Sequence, residues 1–281
     1  MSEPDAHLDG TPAMRTDPPT RAEKIANPQL SREDFEWACY EQKKAEACYS
    51  LGEWWQLVGN DYVKAAEVYD ANCFRAKNAN ANSCHKLARL YQFWATRGEV
   101  LKGPPTTMAG AGKRVKAPST ISKELEGMPA SADASISQMT DPRARSAALY
   151  ARACALGNGA ACGVGGKMAL SGFGRDKSVS DATSMFAKGC DDCGDAQSCF
   201  LMGTTHLKGK RHGIASDATK AYPWLEKACL RGHANACQVV AVMHKKGHGV
   251  PADEKKFLFY KQMTHDLVKK MGEKMGATIV D

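Results

Sequence analysis

The chain has 281 residues, 43% of them apolar, enough for one large globular domain or two ordinary ones. No apolar run approaches the roughly 20 residues that a membrane span needs, so no transmembrane segment is expected. The net charge is +7, with a pI near 8.8. That charge comes without an aromatic-interleaved basic motif or a groove-reading helix, so nucleic acid is not an expected partner.

Residues 1–28 carry Pro4, Pro12, Pro18 and Pro19 among scattered charges. They lack the apolar core of a secretory signal and the Arg-rich amphipathic helix of a mitochondrial presequence, and are expected to form a disordered tail. Asp34 and Phe35 begin a helix that reaches Cys39. Cys48 opens the next, with Leu51, Gly52 and Trp55 at the offsets of one helical face. Asn60 and Asp61 cap a third, in which Ala65, Tyr69 and Cys73 share a face. Cys84, Leu87, Ala88 and Tyr91 then repeat the helix that began at Cys48.

An insertion follows at 98–141. Gly103-Pro104-Pro105, Lys113-Arg114-Val115-Lys116 and many Ser and Thr, with no aromatic residue, predict a disordered loop with a short helix near Ile121–Gly127. A helical run from Arg145 to Cys154 resumes the pattern, and Gly157 supplies a helix stop. Cys162 opens a weaker copy, with Gly165 and Gly166 where Leu and Gly stand earlier. Cys199, Met202, Gly203 and His206 form the next copy, and Cys237, Val240, Ala241 and His244 the last. A final helix after Lys256 is expected to run to about Met271 without a closing cysteine, as a terminal cap, followed by a tail at 273–281.

The opening cysteines are spaced by 36, 37 and 38 residues, and by 78 across the insertion. An apolar residue stands four before each closing cysteine: Phe35, Tyr69, Tyr150, Phe186 and Leu225. A period in the thirties with two helices per unit predicts an all-α, right-handed α/α solenoid over 29–272 with about five repeats. Small residues four after each opening cysteine (Gly52, Ala88, Gly166, Gly203, Ala241) would let neighbouring helices approach closely.

Ten of the eleven cysteines fall into pairs eight to eleven residues apart: Cys39 with Cys48, Cys73 with Cys84, Cys154 with Cys162, Cys190 with Cys199, and Cys229 with Cys237. Each pair joins the last turn of one helix to the first turn of the next, so inter-repeat disulfides are the expected state. The alternatives are reduced, buried, alanine-like residues and zinc. Zinc fits less well, since only Cys190-Asp-Asp-Cys193 has knuckle spacing and Cys199 adds a third thiolate, not a fourth. Disulfides without a secretory signal point to a compartment that oxidises proteins on entry, the mitochondrial intermembrane space.

These features resemble the Sel1-like repeat family, relatives of the tetratricopeptide repeats. The family pattern of Cys-x-x-Leu-Gly-x-x-Tyr, then Gly-x-Gly-Val-x-x-Asp-x-x-Lys-Ala, is met by Cys237, His244, Gly247, Gly249, Val250, Asp253 and Lys256. A second copy runs through Cys199, Gly209, Asp217, Lys220, Ala221, Ala228 and Cys229. The cysteine pairing is similar to the cysteine-rich branch named after bacterial β-lactamase-like proteins. In the mitochondrial part of that branch the resemblance implies a non-enzymatic scaffold of the intermembrane space that supports assembly of respiratory-chain complexes, cytochrome c oxidase in particular. Its expected partners are respiratory-chain assembly proteins or subunits. The long N-terminal tail, the insertion and the weak repeat at Cys162 depart from the pattern.

Few residues invite chemistry. A β-lactamase needs Ser-x-x-Lys and Lys-Thr-Gly; here Thr120 precedes Lys123 and no Lys-Thr-Gly exists. His206 and His244 take the aromatic slot of their repeats, and their helices stand too far apart for a shared zinc. His233, His244 and His248 around one loop are the alternative set for a metal or haem, which would make the protein a haem carrier; no cofactor is otherwise expected. Cys193 is the expected free thiol, exposed in a turn and surrounded by Asp191, Asp192 and Asp195, which disfavour its thiolate. A thiol–disulfide oxidoreductase acting on copper metallochaperones through Cys193 or a labile bridge is the rival function. From Thr205 to Met275 fourteen Lys or Arg stand against six Asp or Glu. That basic region is read as a solvated face, or as attraction to an acidic protein or to anionic inner-membrane lipid.

Overall fold

The structure is a computed structural model, and it describes residues 28–75, 77–97, 100–101, 114–115, 136 and 139–274. Eleven α-helices order these residues: α1 Pro28–Tyr40, α2 Ala45–Leu57, α3 Tyr62–Cys73, α4 Ala81–Arg97, α5 Pro142–Ala155, α6 Gly159–Ser171, α7 Val179–Asp191, α8 Ala196–Leu207, α9 Ala218–Leu230, α10 Ala234–Lys246 and α11 Glu254–Lys274. Every principal contact joins helices no more than two apart in this order. That is the nearest-neighbour packing of a solenoid, as the period of the cysteines requires.

The elements begin where side chains can replace missing backbone partners. Asp61, Asp141, Ser178 and Asp217 accept from backbone N–H groups at the starts of α3, α5, α7 and α9. Asn158, Asp195 and His233 do so for α6, α8 and α10. Within each hairpin the small residue receives the large one. The position of a Cβ on Gly52 is occupied by the Tyr69 ring, on Gly166 by Phe186, and on Gly203 by Leu225. Phe35, Tyr69, Tyr150, Phe186 and Leu225 are all buried. The glycine-rich segment after Cys162 is a full helix, because Gly165 and Gly166 are filled from outside by Met185 and Phe186.

Helix ends differ from the sequence reading at three places. The first helix starts at Pro28, not near Asp34; the last starts at Glu254, two residues before Lys256, and continues through Lys274, past the boundary set at 273. Of the insertion, Val100–Leu101 pairs antiparallel with Arg114–Val115, and half-buried Ile136 packs against the core around α3–α6. The expected disorder of the rest, the short helix at 121–127, Thr120 and Lys123, and the tails at 1–27 and 275–281 lie outside the described residues.

Two hydrophobic clusters dominate, one across α3–α6 and one across α7–α11, with smaller ones joining α1–α3 and α6–α8. Across the insertion the chain is fastened by a buried ion pair. Arg145 on α5 donates to Asp70 on α3 at 2.7 Å, with both side chains 4% exposed. The guanidinium also lies 4.4 Å from the centre of the Tyr91 ring.

Candidate functional site

The cysteines form a ladder along the solenoid. The sulfurs lie at disulfide distance in five pairs: Cys39–Cys48 at 2.02 Å, Cys73–Cys84 at 2.10 Å, Cys154–Cys162 at 2.06 Å, Cys190–Cys199 at 2.13 Å and Cys229–Cys237 at 2.11 Å. All ten are buried. Each pair spans the turn between the second helix of one hairpin and the first of the next. A residue at positive φ makes that turn: Gly157, Gly194 and Gly232, but Lys43 and Asn78 in the first two. In four of the five turns it stands five residues before the opening cysteine, and Asn78 stands six before Cys84.

Cys193 is the free cysteine among the described residues, and it is half-buried, not exposed as expected. It stands immediately before Gly194, between cysteines nine residues apart where Cys154–Cys162 and Cys229–Cys237 are eight apart. Its Cβ lies against Gly159, where an added methyl would stand 3.0 Å away. Burial pushes its pKa up first of all; Lys188 pulls it down, and Asp192 and Asp195 push it up further. Lys188 is itself paired with Asp192 at 3.2 Å. The local field therefore favours the protonated thiol.

The histidines do separate work. His233 caps α10 through Nδ1, which accepts from the Ala236 N–H at 3.2 Å, and its ring stacks on Phe200. Burial lowers its pKa. His244 is 2% exposed, between the rings of Tyr222 and Tyr260. Its Nε2 is 3.2 Å from the Tyr222 hydroxyl. Tyr222 and Tyr260 both donate to Glu226 Oε1, at 2.6 and 2.7 Å. Burial and that bond raise both phenols, Tyr260 to about 12. His248 is exposed and His206 half-buried. Among the described residues no three His, Cys, Asp or Glu side chains converge as a metal site.

The basic region is a surface. Lys245, Lys246, Lys255, Lys256, Lys261 and Lys270 are exposed on α10 and α11, with Leu258 and Phe259 emerging among them. Among the described residues no helix is long and apolar enough to cross a membrane. Sequence reasoning missed the arginines that reach the cysteine ladder. Arg75 donates to the Lys43 and Cys39 carbonyls at 2.7 and 3.3 Å, and its Nη2 is 2.9 Å from Cys48 Sγ. Arg231 donates to the Cys190 carbonyl at 2.6 Å, and its Nη1 is 3.0 Å from Cys199 Sγ. Both stand two residues after a closing cysteine, a spacing that could have flagged them.

The Sel1 repeat family model matches residues 45–67, 196–233 and 234–256. The chain is 25% identical over 246 residues to cytochrome c oxidase assembly factor 7A of Xenopus laevis, covering 86% of this chain and 87% of that one. It is 26% identical over 254 residues to the cytochrome c oxidase assembly factor 7 homolog of Drosophila melanogaster, covering 86% and 89%. Among solved structures, a Sel1 repeat protein from Oxalobacter formigenes superposes with a TM-score of 0.54 at 18% identity, over 85% of this chain and 80% of that chain. A protective antigen of uropathogenic Escherichia coli with an SLR fold gives 0.56 at 19% identity, over 84% of this chain and 41% of the antigen. The repeat period and the shared architecture agree: this chain is an α/α solenoid, with segments 45–67 and 196–256 that match the Sel1 repeat.

Proposed function

We propose that this protein is a non-enzymatic scaffold of the mitochondrial intermembrane space that supports assembly of cytochrome c oxidase. The observation that carries the reading is the likeness to relatives named as cytochrome c oxidase assembly factor 7, which runs over 86% of the chain. Two features support it. A solenoid with a cysteine pair at disulfide distance at each turn between hairpins keeps its shape while presenting an extended surface, as a binding scaffold needs. Ten cysteines at disulfide distance suit a compartment that oxidises thiols. Respiratory-chain assembly proteins or subunits are the clients this reading implies.

The rival is thiol chemistry at Cys193. Its raised pKa and half-buried position argue against a nucleophile poised at neutral pH. The test is complementation of cells lacking the protein, scoring cytochrome oxidase activity and abundance of the variant. Cys193→Ser should restore the oxidase fully, while Cys229→Ser with Cys237→Ser should lower abundance. An oxidase that stays low with Cys193→Ser at normal abundance would overturn the scaffold reading.

A further inference from the structure

The cysteine pairs run along one edge of the solenoid, where one hairpin turns into the next. The loops inside the hairpins build the opposite edge, and in the rear of the molecule that edge is basic. Residues 172–178, 208–220 and 245–256 contain ten Lys or Arg against four Asp or Glu. Two of these loops are seen to rest on the start of the second helix of the hairpin before. A Cβ on Gly174 would stand on the backbone of Arg143 in α5, and one on Gly249 on the backbone of Ala218 in α9. Lys208, Lys210, Lys245, Lys246, Lys255 and Lys256 are exposed along this edge. Ion pairs among the described residues engage only two cations of these loops, Arg175 with Asp181 and Lys220 with Asp217. Asp217 and Asp253 are turned onto backbone N–H groups as helix caps. Leu258 and Phe259, 53% and 56% exposed, emerge in the first turns of α11 directly after Lys255 and Lys256.

We propose that this edge docks the protein on a bilayer rich in anionic headgroups, with the lysines over the phosphates and Leu258 and Phe259 entering the boundary between headgroups and acyl chains. Three observations favour a lipid surface over an acidic protein. Eight of the ten cations are lysine, a compact point charge that needs no fixed partner geometry, whereas the fork of arginine gains most from a fixed one. The charges are spread over three loops along an edge, and each cation near an anionic leaflet strengthens binding about fivefold wherever it sits on that surface. Two large apolar side chains stand exposed among the lysines, the combination that a membrane interface takes up from an amphipathic helix. The docking is peripheral, since no described helix is long and apolar enough to cross a membrane. It is also independent of the client that the scaffold serves, so its failure leaves the reading as an assembly scaffold untouched.

The test is flotation of the full chain with vesicles of phosphatidylcholine, either alone or with about one-third phosphatidylglycerol. The native protein should float with the anionic vesicles, stay behind with the neutral ones, and be released as salt rises from about 0.05 M to about 0.5 M. Lys245→Gln, Lys246→Gln, Lys255→Gln and Lys256→Gln together should weaken binding by on the order of a hundredfold or more. The control removes the same charge from the cysteine edge through Lys43→Gln, Lys44→Gln, Lys77→Gln and Lys227→Gln, all at exposed residues. It should weaken binding less than about threefold at physiological salt, where a Debye length of about 8 Å screens charges on the far edge. Leu258→Ser with Phe259→Ser should weaken binding about tenfold and leave the remainder salt-sensitive. Equal losses from the two edges would mean that net charge alone acts, and would overturn the proposal. So would a native chain that binds soluble poly-glutamate but neither kind of vesicle, which would assign the edge to an acidic protein. Circular dichroism checks that each variant keeps its helices. Should the loop-edge variant not fold, the serine pair decides, and vesicle binding unchanged by it overturns the proposal.

Discussion

The front and the rear of the solenoid solve the same packing problem with different chemistry. From α3 to α5 the interior holds Asp70, Asn72, Arg75, Asn80, Ser83, Arg145 and Ser146. Asn72 donates to the Ala45 carbonyl and to Ser83, and Ser146 to the Ala88 carbonyl. From α8 to α11 the buried polar side chains are Ser198, Thr205 and His244, and the core is Leu225, Val240 and small residues. The family model follows the same divide, matching 196–256 continuously and only 45–67 in the front. The hairpin interrupted by the insertion cannot rely on a short connection to bring its helices together, and the polar network supplies specific contacts across that gap. The comparison teaches that the repeat period sets the helices, while the polarity of the core records how far a given hairpin has departed from the shared pattern.

The largest expected effect tests what both regions share. Closing a loop of about nine residues contributes roughly 2.5 kcal/mol, so five bridges compare with a whole domain's stability of about 5–15 kcal/mol. Reduction should therefore lower the melting temperature by tens of degrees, followed by circular dichroism after loss of the bridges is confirmed by mass. An unchanged melting curve would mean that packing suffices in front and rear alike.

The second prediction separates the regions. Arg145→Met leaves Asp70 buried without its cation and should cost about 3–5 kcal/mol. Lys227→Met removes a surface pair with Asp191 in the rear and should cost less than about 1 kcal/mol. Denaturant midpoints of the two variants check the contrast. Burial holds Asp70 above the usual carboxylate range, against the pull of Arg145. A carboxyl raised by folding favours the folded state fully below its unfolded pKa near about 4, and that contribution is lost as pH rises through the folded value. The advantage of the native protein over Asp70→Asn should accordingly shrink from about pH 4 upward; an advantage that grows with pH would mean that the guanidinium outweighs burial.

Smaller effects sharpen the boundary between the regions. Gly166→Val forces a side chain into the space of Phe186 and should cost about 1–3 kcal/mol by calorimetry, although valine is the more ordinary core residue. Lys43→Gly relieves a non-glycine residue at φ 55° and should stabilise by about 0.5–1 kcal/mol. A loss there would mean that the Lys43 side chain contributes contacts. Least of all, removing residues 102–113 and joining the paired strands by a two-residue turn should leave helicity and the five bridges unchanged by circular dichroism and peptide mapping.

What the sequence determined by itself was everything that depends on neighbours along the chain. The offsets of Leu51, Gly52 and Trp55 from Cys48 recur because a helix returns to one face every three to four residues, and that rule needs no tertiary knowledge. Asp61 could be read as a cap for the same reason. The cysteine spacing set the register of the hairpins, and the fold class followed from the period. Only the tertiary structure decided the rest. The Asp70–Arg145 pair joins positions 75 residues apart, and no periodicity marks a charge that will be buried by its partner. The glycines after Cys162 looked like a weak repeat because their cavity is filled by Met185 and Phe186 from the next helix. Lys43 and Asn78 adopt positive φ at their turns without being glycine, and the Arg75 guanidinium holds the Lys43 carbonyl from 32 residues away. Arg75 and Arg231 read in sequence as two surface cations; the pairing of the two helices of a hairpin lays them on the sulfurs of Cys48 and Cys199, and its stacking on the hairpin before brings them to the Cys39 and Cys190 carbonyls, a contact that depends on the superhelical step, which no single repeat encodes.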